Sequence, residues 1–244
     1  MRLALALMAL AMLLGSSEIS ALAADGAIAS SAEPLPILCR DSWRARPPLD
    51  GLVKHTVQRI TVHHTATKFT NNRRTAKALR NIQTWHQRHP RKKLPDIAYH
   101  YVIDRNGFVL EARDSAFRGD THTRYDPTGH LLICLLGNFE EQKPSDAQRD
   151  ALVELISWAS RHHDVPMDAI GSHRDHAKTL CPGEHVHAWI QSGGVVAAVQ
   201  ERLEEGAVKR RVICGDTARE WIRQIERSKR FTPEDARQLP PQGE

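Results

Sequence analysis

The stretch Gln58-Arg-Ile-Thr-Val-His-His-Thr65 decides how the chain is read. Its alternation puts Ile60, Val62 and His64 on one face of a strand and Thr61 and His63 on the other, so the two adjacent histidines cannot both face one cleft. Downstream, residues 70 to 89 repeat apolar or bulky positions at Leu79, Ile82, Trp85 or His86, and His89. That is the spacing of one helical face, and Pro90 ends it. Two further strands, 97 to 104 and 108 to 112, flank Asn106-Gly107, a strong hairpin signal. Another strand, 131 to 136, is apolar on both alternations, and Cys134 inside it reads as a small buried hydrophobe.

Pro144-Ser145-Asp-Ala-Gln148 then carries a capping-box pattern ahead of an amphipathic helix with Leu152, Leu155, Ile156 and Ala159 facing inward. A short strand at 171 to 173, a loop at 178 to 183 with Pro182 and Gly183, and a short helix at 187 to 191 complete a core domain over 38–192. Strands interleaved with helices predict an α/β fold. Beyond it, 193–244 reads as a charged, mainly helical C-terminal extension in which Trp221 and Ile222 suggest packing. Upstream, 24–37 is rich in Ala, Ser and Pro and reads as a flexible leader.

Residues 1–23 begin with Arg2, continue with an apolar run from Leu3 to Leu14 and end in Ala21-Leu22-Ala23, the pattern of a cleavable secretory signal. Twelve apolar residues fall short of the roughly twenty that a helix needs to span a bilayer, so no stable membrane span is expected after cleavage. The expected location is periplasmic or extracellular. With 244 residues, 41% hydrophobic and 26% charged, the composition is that of an ordinary folded protein; collagen, long disordered tails and multispan membrane proteins are excluded. Four cysteines make no disulfide framework, although Cys39 and Cys214 flank the central region from opposite ends and a bridge between them is one hypothesis.

A catalytic zinc takes three protein ligands and leaves a fourth position open. His63, His173 and Cys181 fit that count, but with fourteen histidines and neither an H-E-x-x-H nor a paired C-x-x-C, spacing alone does not single them out. A longer comparison does. Arg40-Asp-Ser-Trp-Arg-Ala-Arg-Pro-Pro48, Val62-His-His-Thr-Ala66, Asp96-Ile-Ala-Tyr-His-Tyr-Val-Ile-Asp104, Asp120-Thr-His-Thr123, Gly137-Asn-Phe139, Ser172-His-Arg-Asp175 and Thr179-Leu-Cys-Pro-Gly183 occur in one order and spacing. In that order the chain resembles the type-2 N-acetylmuramoyl-L-alanine amidases, the superfamily shared with peptidoglycan recognition proteins and amidase-type phage lysozymes.

The resemblance implies a central mixed β-sheet flanked by helices, a Zn2+ ion in a surface groove, and cleavage of the amide between N-acetylmuramic acid and L-alanine. It implies His63, His173 and Cys181 as metal ligands, with His64 a packed or hydrogen-bonded neighbour. It matches Tyr99 to the family's tyrosine beside the metal, Thr179 to the Lys or Thr that contacts the reacting carbonyl, and His86 and His122 to positions that contact muropeptide. His86 also fits the buried face of its helix. No glutamate is placed as proton shuttle; His100 and His176 are candidates. Where relatives commonly show Asn before a Ser-Ile-Gly-Ile strand, this chain has Tyr125-Asp-Pro-Thr-Gly-His-Leu-Leu-Ile-Cys134, so stem-peptide specificity does not transfer.

The alternative implied by the same resemblance is a recognition module that binds peptidoglycan without cutting it; relatives that lack the cysteine ligand lose hydrolysis. The formal charge of +5 favours anionic partners. Between Lys68 and Lys93 nine Lys or Arg occur without an acidic residue, and Arg91, Lys92 and Lys93 are candidates for contact with anionic envelope polymers. Nucleic acid is not an expected partner, because no motif interleaves aromatics with the charge.

Overall fold

The computed structural model describes residues 33–239; the expected signal segment 1–23 and most of the leader lie outside the described residues. Along the chain run β1 (Leu35–Leu38), β2 (Arg59–His64), α1 (Thr75–Arg88), β3 (Tyr101–Ile103), β4 (Val109–Glu111), β5 (His130–Leu135) and α2 (Asp146–His162). They are followed by β6 (Ile170–Ser172), α3 (Glu184–Gln191), α4 (Gly194–Glu204), β7 (Arg210–Ile213), α5 (Gly215–Arg227) and α6 (Pro233–Arg237). The strands form one mixed sheet in the order β6-β2-β5-β3-β4-β1-β7. Every neighbouring pair is parallel except the β3–β4 hairpin, which turns through Asn106-Gly107 with Gly107 at φ 88°. An added Cβ at Gly107 would lie 2.8 Å from the Ala147 carbonyl oxygen, so both the turn and the contact with α2 demand glycine.

Strand parity sorts the core into two layers. Ile60 and Val62 of β2 and Leu131, Ile133 and Leu135 of β5 pack against Leu152, Leu155, Ile156 and Ala159 of α2 and against Val186, Val195 and Val199 of α3 and α4. On the opposite face Val102, Leu110, Cys134 and Leu136 meet Ala76 and Leu79 of α1 and Trp221, Ile222 and Ile225 of α5. Burying a Leu or Ile side chain in such a layer contributes about 1.5–3 kcal/mol. Ser145 caps α2 through the expected box, its hydroxyl accepting from Gln148 N while the Gln148 side chain accepts from Ser145 N.

Several expectations change. On α1 the buried side chains are Thr75, Ala76, Leu79, Gln83, His86 and Gln87, whereas Trp85 is 52% exposed. Gln83 is buried with hydrogen bonds to Arg46 N, Arg46 O and Asp96 Oδ1, and Gln87 with bonds to Pro47 O and Pro95 O, so polar clips join the expected Leu79, Ile82 and His86 on the inward face. The leader expected over 24–37 gives way to β1 at Leu35. The boundary expected at 192/193 is not a domain boundary: α4 packs on α2, and β7 pairs with β1 from Leu35↔Arg210 to Leu38↔Ile213. The extension is mainly helical, and it also completes the sheet. Extending the β1–β7 register by one residue sets Cys39 beside Cys214, and the two form a disulfide with Cα atoms 5.3 Å apart. Among the described residues no helix is long and apolar enough to cross a membrane.

Candidate metal centre

His63 stands near the carboxyl end of β2, on the face opposite Ile60 and Val62. His173 follows β6 directly, in a turn closed by Asp175, whose Oδ2 accepts from Ser172 N at 2.6 Å and from Ser172 Oγ at 3.1 Å. Cys181 arrives from the far side on the 178–183 loop. Arg174 fixes that loop by donating to Leu180 O at 2.9 Å while pairing with Glu140 and with Glu184 at 2.6 Å. Gly183, at φ 91°, ends the loop against Phe139; an added Cβ would meet the Phe139 backbone at 2.4 Å, so no larger residue fits. Residues as far as 118 positions apart in sequence thus converge: the ligand atoms of His63, His173 and Cys181 all lie within 4.8 Å of one another.

The donor chemistry of this cluster fits a zinc ion. His63 Nδ1 is 3.6 Å from Cys181 Sγ. A tetrahedral zinc bound at about 2.3 Å to sulfur and about 2.1 Å to nitrogen separates two such donors by about 3.6 Å. His63 Nε2 and His173 Nδ1 are buried with no hydrogen-bond partner, a cost unless another group completes them. Burial pushes the pKa of His63 well below its usual 6.5, with His173 beside it adding to the effect, and pushes His173 down to about 4. Both rings are therefore neutral and have a lone pair to offer. Burial drives the Cys181 thiol up to about 12, against a hydrogen bond from His64 N to its sulfur at 3.3 Å. A thiolate in this place calls for a cation next to it. The only other group of three His, Cys or acidic side chains among the described residues with donor atoms close enough to share an ion, Cys39, Asp41 and Cys214, has its sulfurs bonded to each other.

The cluster opens onto a groove of about 310 Å³ whose lining includes all seven residues singled out from the sequence: His63, His86, Tyr99, His122, His173, Thr179 and Cys181. Tyr99 sits between His63 and His86, with ring centroids at 5.5 and 5.8 Å, and burial keeps its phenol protonated far above neutral pH. His86 accepts from Ala98 N at Nδ1, which leaves its ring proton on Nε2; burial lowers its pKa to about 3. It stacks on the exposed His122 at 5.7 Å. Thr179 Oγ1 accepts from Cys181 N at 3.2 Å, so its own proton is free to point elsewhere. His64 faces away and accepts from Phe139 N at 3.2 Å.

Two proton-shuttle candidates lie outside the groove lining. His100 is fully buried with both nitrogens used, Nδ1 accepting from Leu132 N and Nε2 donating to Phe117 O. His176 stacks on Tyr125 at 5.3 Å, behind His173. Lys92 is engaged with Asp120 at 2.6 Å and Thr121 O at 2.7 Å, which ties it to the groove wall while its side chain stays 48% exposed; Arg91 and Lys93 are exposed. The sequence reading passed over the rim residues Trp85 and Leu180, the latter 68% exposed. It also passed over Thr123, whose hydroxyl is 2.9 Å from His173 Nε2. Thr123 lies inside a quoted motif, but only the folded geometry distinguishes it from its neighbours.

Comparison with known proteins fits this site. A family model described as N-acetylmuramoyl-L-alanine amidase matches residues 53–184. Peptidoglycan-recognition protein SD of Drosophila simulans is 32% identical over 161 residues, 64% of this chain and 85% of the relative. Peptidoglycan recognition protein 1 of Mus musculus is 32% identical over 160 residues, 64% and 86% of the two chains. The crystal structure of drosophila peptidoglycan recognition protein SD superposes with a TM-score of 0.59, covering 64% of this chain and 94% of that one at 32% identity.

Proposed function

Since the chain belongs to the N-acetylmuramoyl-L-alanine amidase family, together with the peptidoglycan recognition proteins, we propose that it is a zinc-dependent hydrolase of peptidoglycan. It cleaves the amide between N-acetylmuramic acid and L-alanine. The observation that carries the reading is the convergence of Cys181 on His63 and His173, a complete three-ligand set with buried, unpartnered imidazole nitrogens. A protein that only bound its ligand would have no need of the thiol.

When bound, zinc lowers the pKa of water toward about 7 and, as a Lewis acid, polarises the scissile carbonyl. The chain supplies the rest. Tyr99, held neutral, donates its phenolic proton to oxygen at the reacting centre, and the Thr179 hydroxyl donates from the opposite wall. A donor aimed at the developing oxyanion contributes about 3 kcal/mol to catalysis. His86 presents Nε2–H to the substrate and stays uncharged through the physiological range, so it orients without repelling the cation. Trp85 and Leu180 offer apolar surface at the rim to the faces of a sugar ring.

The second reading, a module that binds peptidoglycan without cutting it, is favoured by one observation: the relatives at 32% identity are peptidoglycan recognition proteins. The two separate in one assay. Purified protein incubated with muropeptides is expected to release intact stem peptides bearing a free L-alanine amino group, and a chelator is expected to stop the release. Muropeptide binding with no such product would establish the recognition module. The signal at 1–23 gives the enzyme its access to the wall, as an exported protein.

A further inference from the structure

A ligand histidine has two nitrogens, and something must decide which one carries the proton. At His173 the decision is visible. Its Nε2 lies 2.9 Å from Thr123 Oγ1, while Nδ1 is buried with no partner on the side of His63, whose ring centroid is 4.6 Å away. Thr123 Oγ1 is in turn 2.9 Å from Thr121 Oγ1, which also accepts from Thr123 N at 3.3 Å. A neutral imidazole has one proton, and a hydroxyl that spends its own proton on the next hydroxyl can only accept. Either hydroxyl can donate in that contact; because a proton on Nδ1 would be buried with no acceptor, the arrangement that strands no imidazole proton runs from His173 Nε2–H to Thr123 and on to Thr121. Tyr125 closes the other side of the ring, edge-on at 5.3 Å and 60°.

We infer that Thr123 is the positioning residue of this centre: it fixes His173 as the Nε2–H tautomer and so turns the Nδ1 lone pair toward the metal. The inference rests on the zinc reading above. Ligand histidines often lean on a carboxylate for this purpose. A hydroxyl orients the ring without adding a negative charge, so a site with two neutral imidazoles and one thiolate keeps a net charge near plus one on the divalent ion. That residual charge is what draws electron density from an amide carbonyl. The same 120–123 loop carries His122 into the groove and is pinned by Lys92 through Asp120 and Thr121 O. The loop that orients the metal ligand is thus also a wall against which substrate rests.

The test is zinc affinity, read by competition with a chromophoric chelator, on the full chain. Thr123→Val keeps the shape and removes the hydroxyl; it is expected to weaken zinc binding by about 10–100-fold, and Thr123→Ser is expected to restore it. Long-range proton–nitrogen spectra of the metal-free parent are expected to show His173 protonated on Nε2, with that preference lost in Thr123→Val. Unchanged affinity in Thr123→Val, or a parent His173 protonated on Nδ1, would overturn the inference. Should Thr123→Val not fold, Thr123→Ser and the parent spectrum decide. A parent that binds no zinc at all would sink the hydrolase reading instead, and the tautomer spectrum would still judge Thr123.

Discussion

Two histidine regions of this molecule look alike in residue type and differ in what their nitrogens meet. At the end of β2 and β6, His63 Nε2 and His173 Nδ1 are buried without a partner, and the other His63 nitrogen, Nδ1, is 3.6 Å from the Cys181 sulfur. Elsewhere, His55 and His100 stack at 5.7 Å with all four nitrogens in hydrogen bonds to backbone groups: His55 with Gly129 N and Ser115 O, His100 with Leu132 N and Phe117 O. The second pair staples loops to β5. The first leaves its hydrogen-bonding capacity unspent, at a cost to stability, and that is the mark of a site awaiting a ligand.

The comparison can be broken by deleting one member of each region. The largest effect is expected for Cys181→Ala, which removes the sulfur and leaves two ligands. Hydrolysis of muropeptides is expected to fall below detection and zinc affinity to collapse, while the metal-free protein stays folded and loses only about 1 kcal/mol of stability, the worth of the single hydrogen bond from His64 N to the sulfur. A variant that lost its fold along with its activity would erase the distinction. His100→Leu is the converse. It strands Leu132 N and Phe117 O inside the protein, and urea unfolding is expected to report a loss of about 3 kcal/mol. Zinc binding in the fraction that remains folded is expected to be unaltered.

Acid sharpens the contrast more gently. Burial holds His64 and His130 at a pKa of about 4 and His86 and His100 at about 3, all below the 6.5 of the unfolded chain. Between those values the unfolded chain binds more protons, so stability is full above pH 6.5 and is lost as pH falls toward 4. Moving from pH 7.5 to 5.5 is expected to cost about 1 kcal/mol for each such ring. Asp104, raised by burial to about 6, acts in the opposite direction because its folded form takes up a proton first. Urea titrations of the metal-free protein at the two pH values measure the balance; equal stability at both would mean that these rings are not sealed from water.

How much of this was legible beforehand follows from how local each signal is. The Gln58–Thr65 strand, its parity, the hairpin at Asn106-Gly107 and the Ser145 cap are local, and the structure contains them. The ordered motifs pointed to the seven groove residues because such motifs carry positions as well as residue types. β1 and β7 were hidden. Leu35-Pro-Ile-Leu38 sits in a Pro-bearing, Ala-rich and Ser-rich context, and Arg210-Arg-Val-Ile213 has three exposed residues; each is a strand because the other pairs with it. Gln83 and Gln87 on the buried face of α1 mimic a solvated helix until the loops they clip are seen. His100 was weighed as a proton shuttle for the same reason: a polar residue type does not reveal whether its partners are backbone groups or substrate.

The bond between Cys39 and Cys214 closes a ring over a sequence separation of 175, which encloses every strand of the sheet but β1 and every residue of the groove. In the chain-entropy view a loop of that size limits the unfolded ensemble by about 5 kcal/mol. A protease that nicks one exposed loop inside the ring therefore leaves a single covalently joined molecule, still able to hold its strands in register. Such a linkage persists only where the surroundings are oxidising, so the tolerance to nicking is present only in a compartment of that kind.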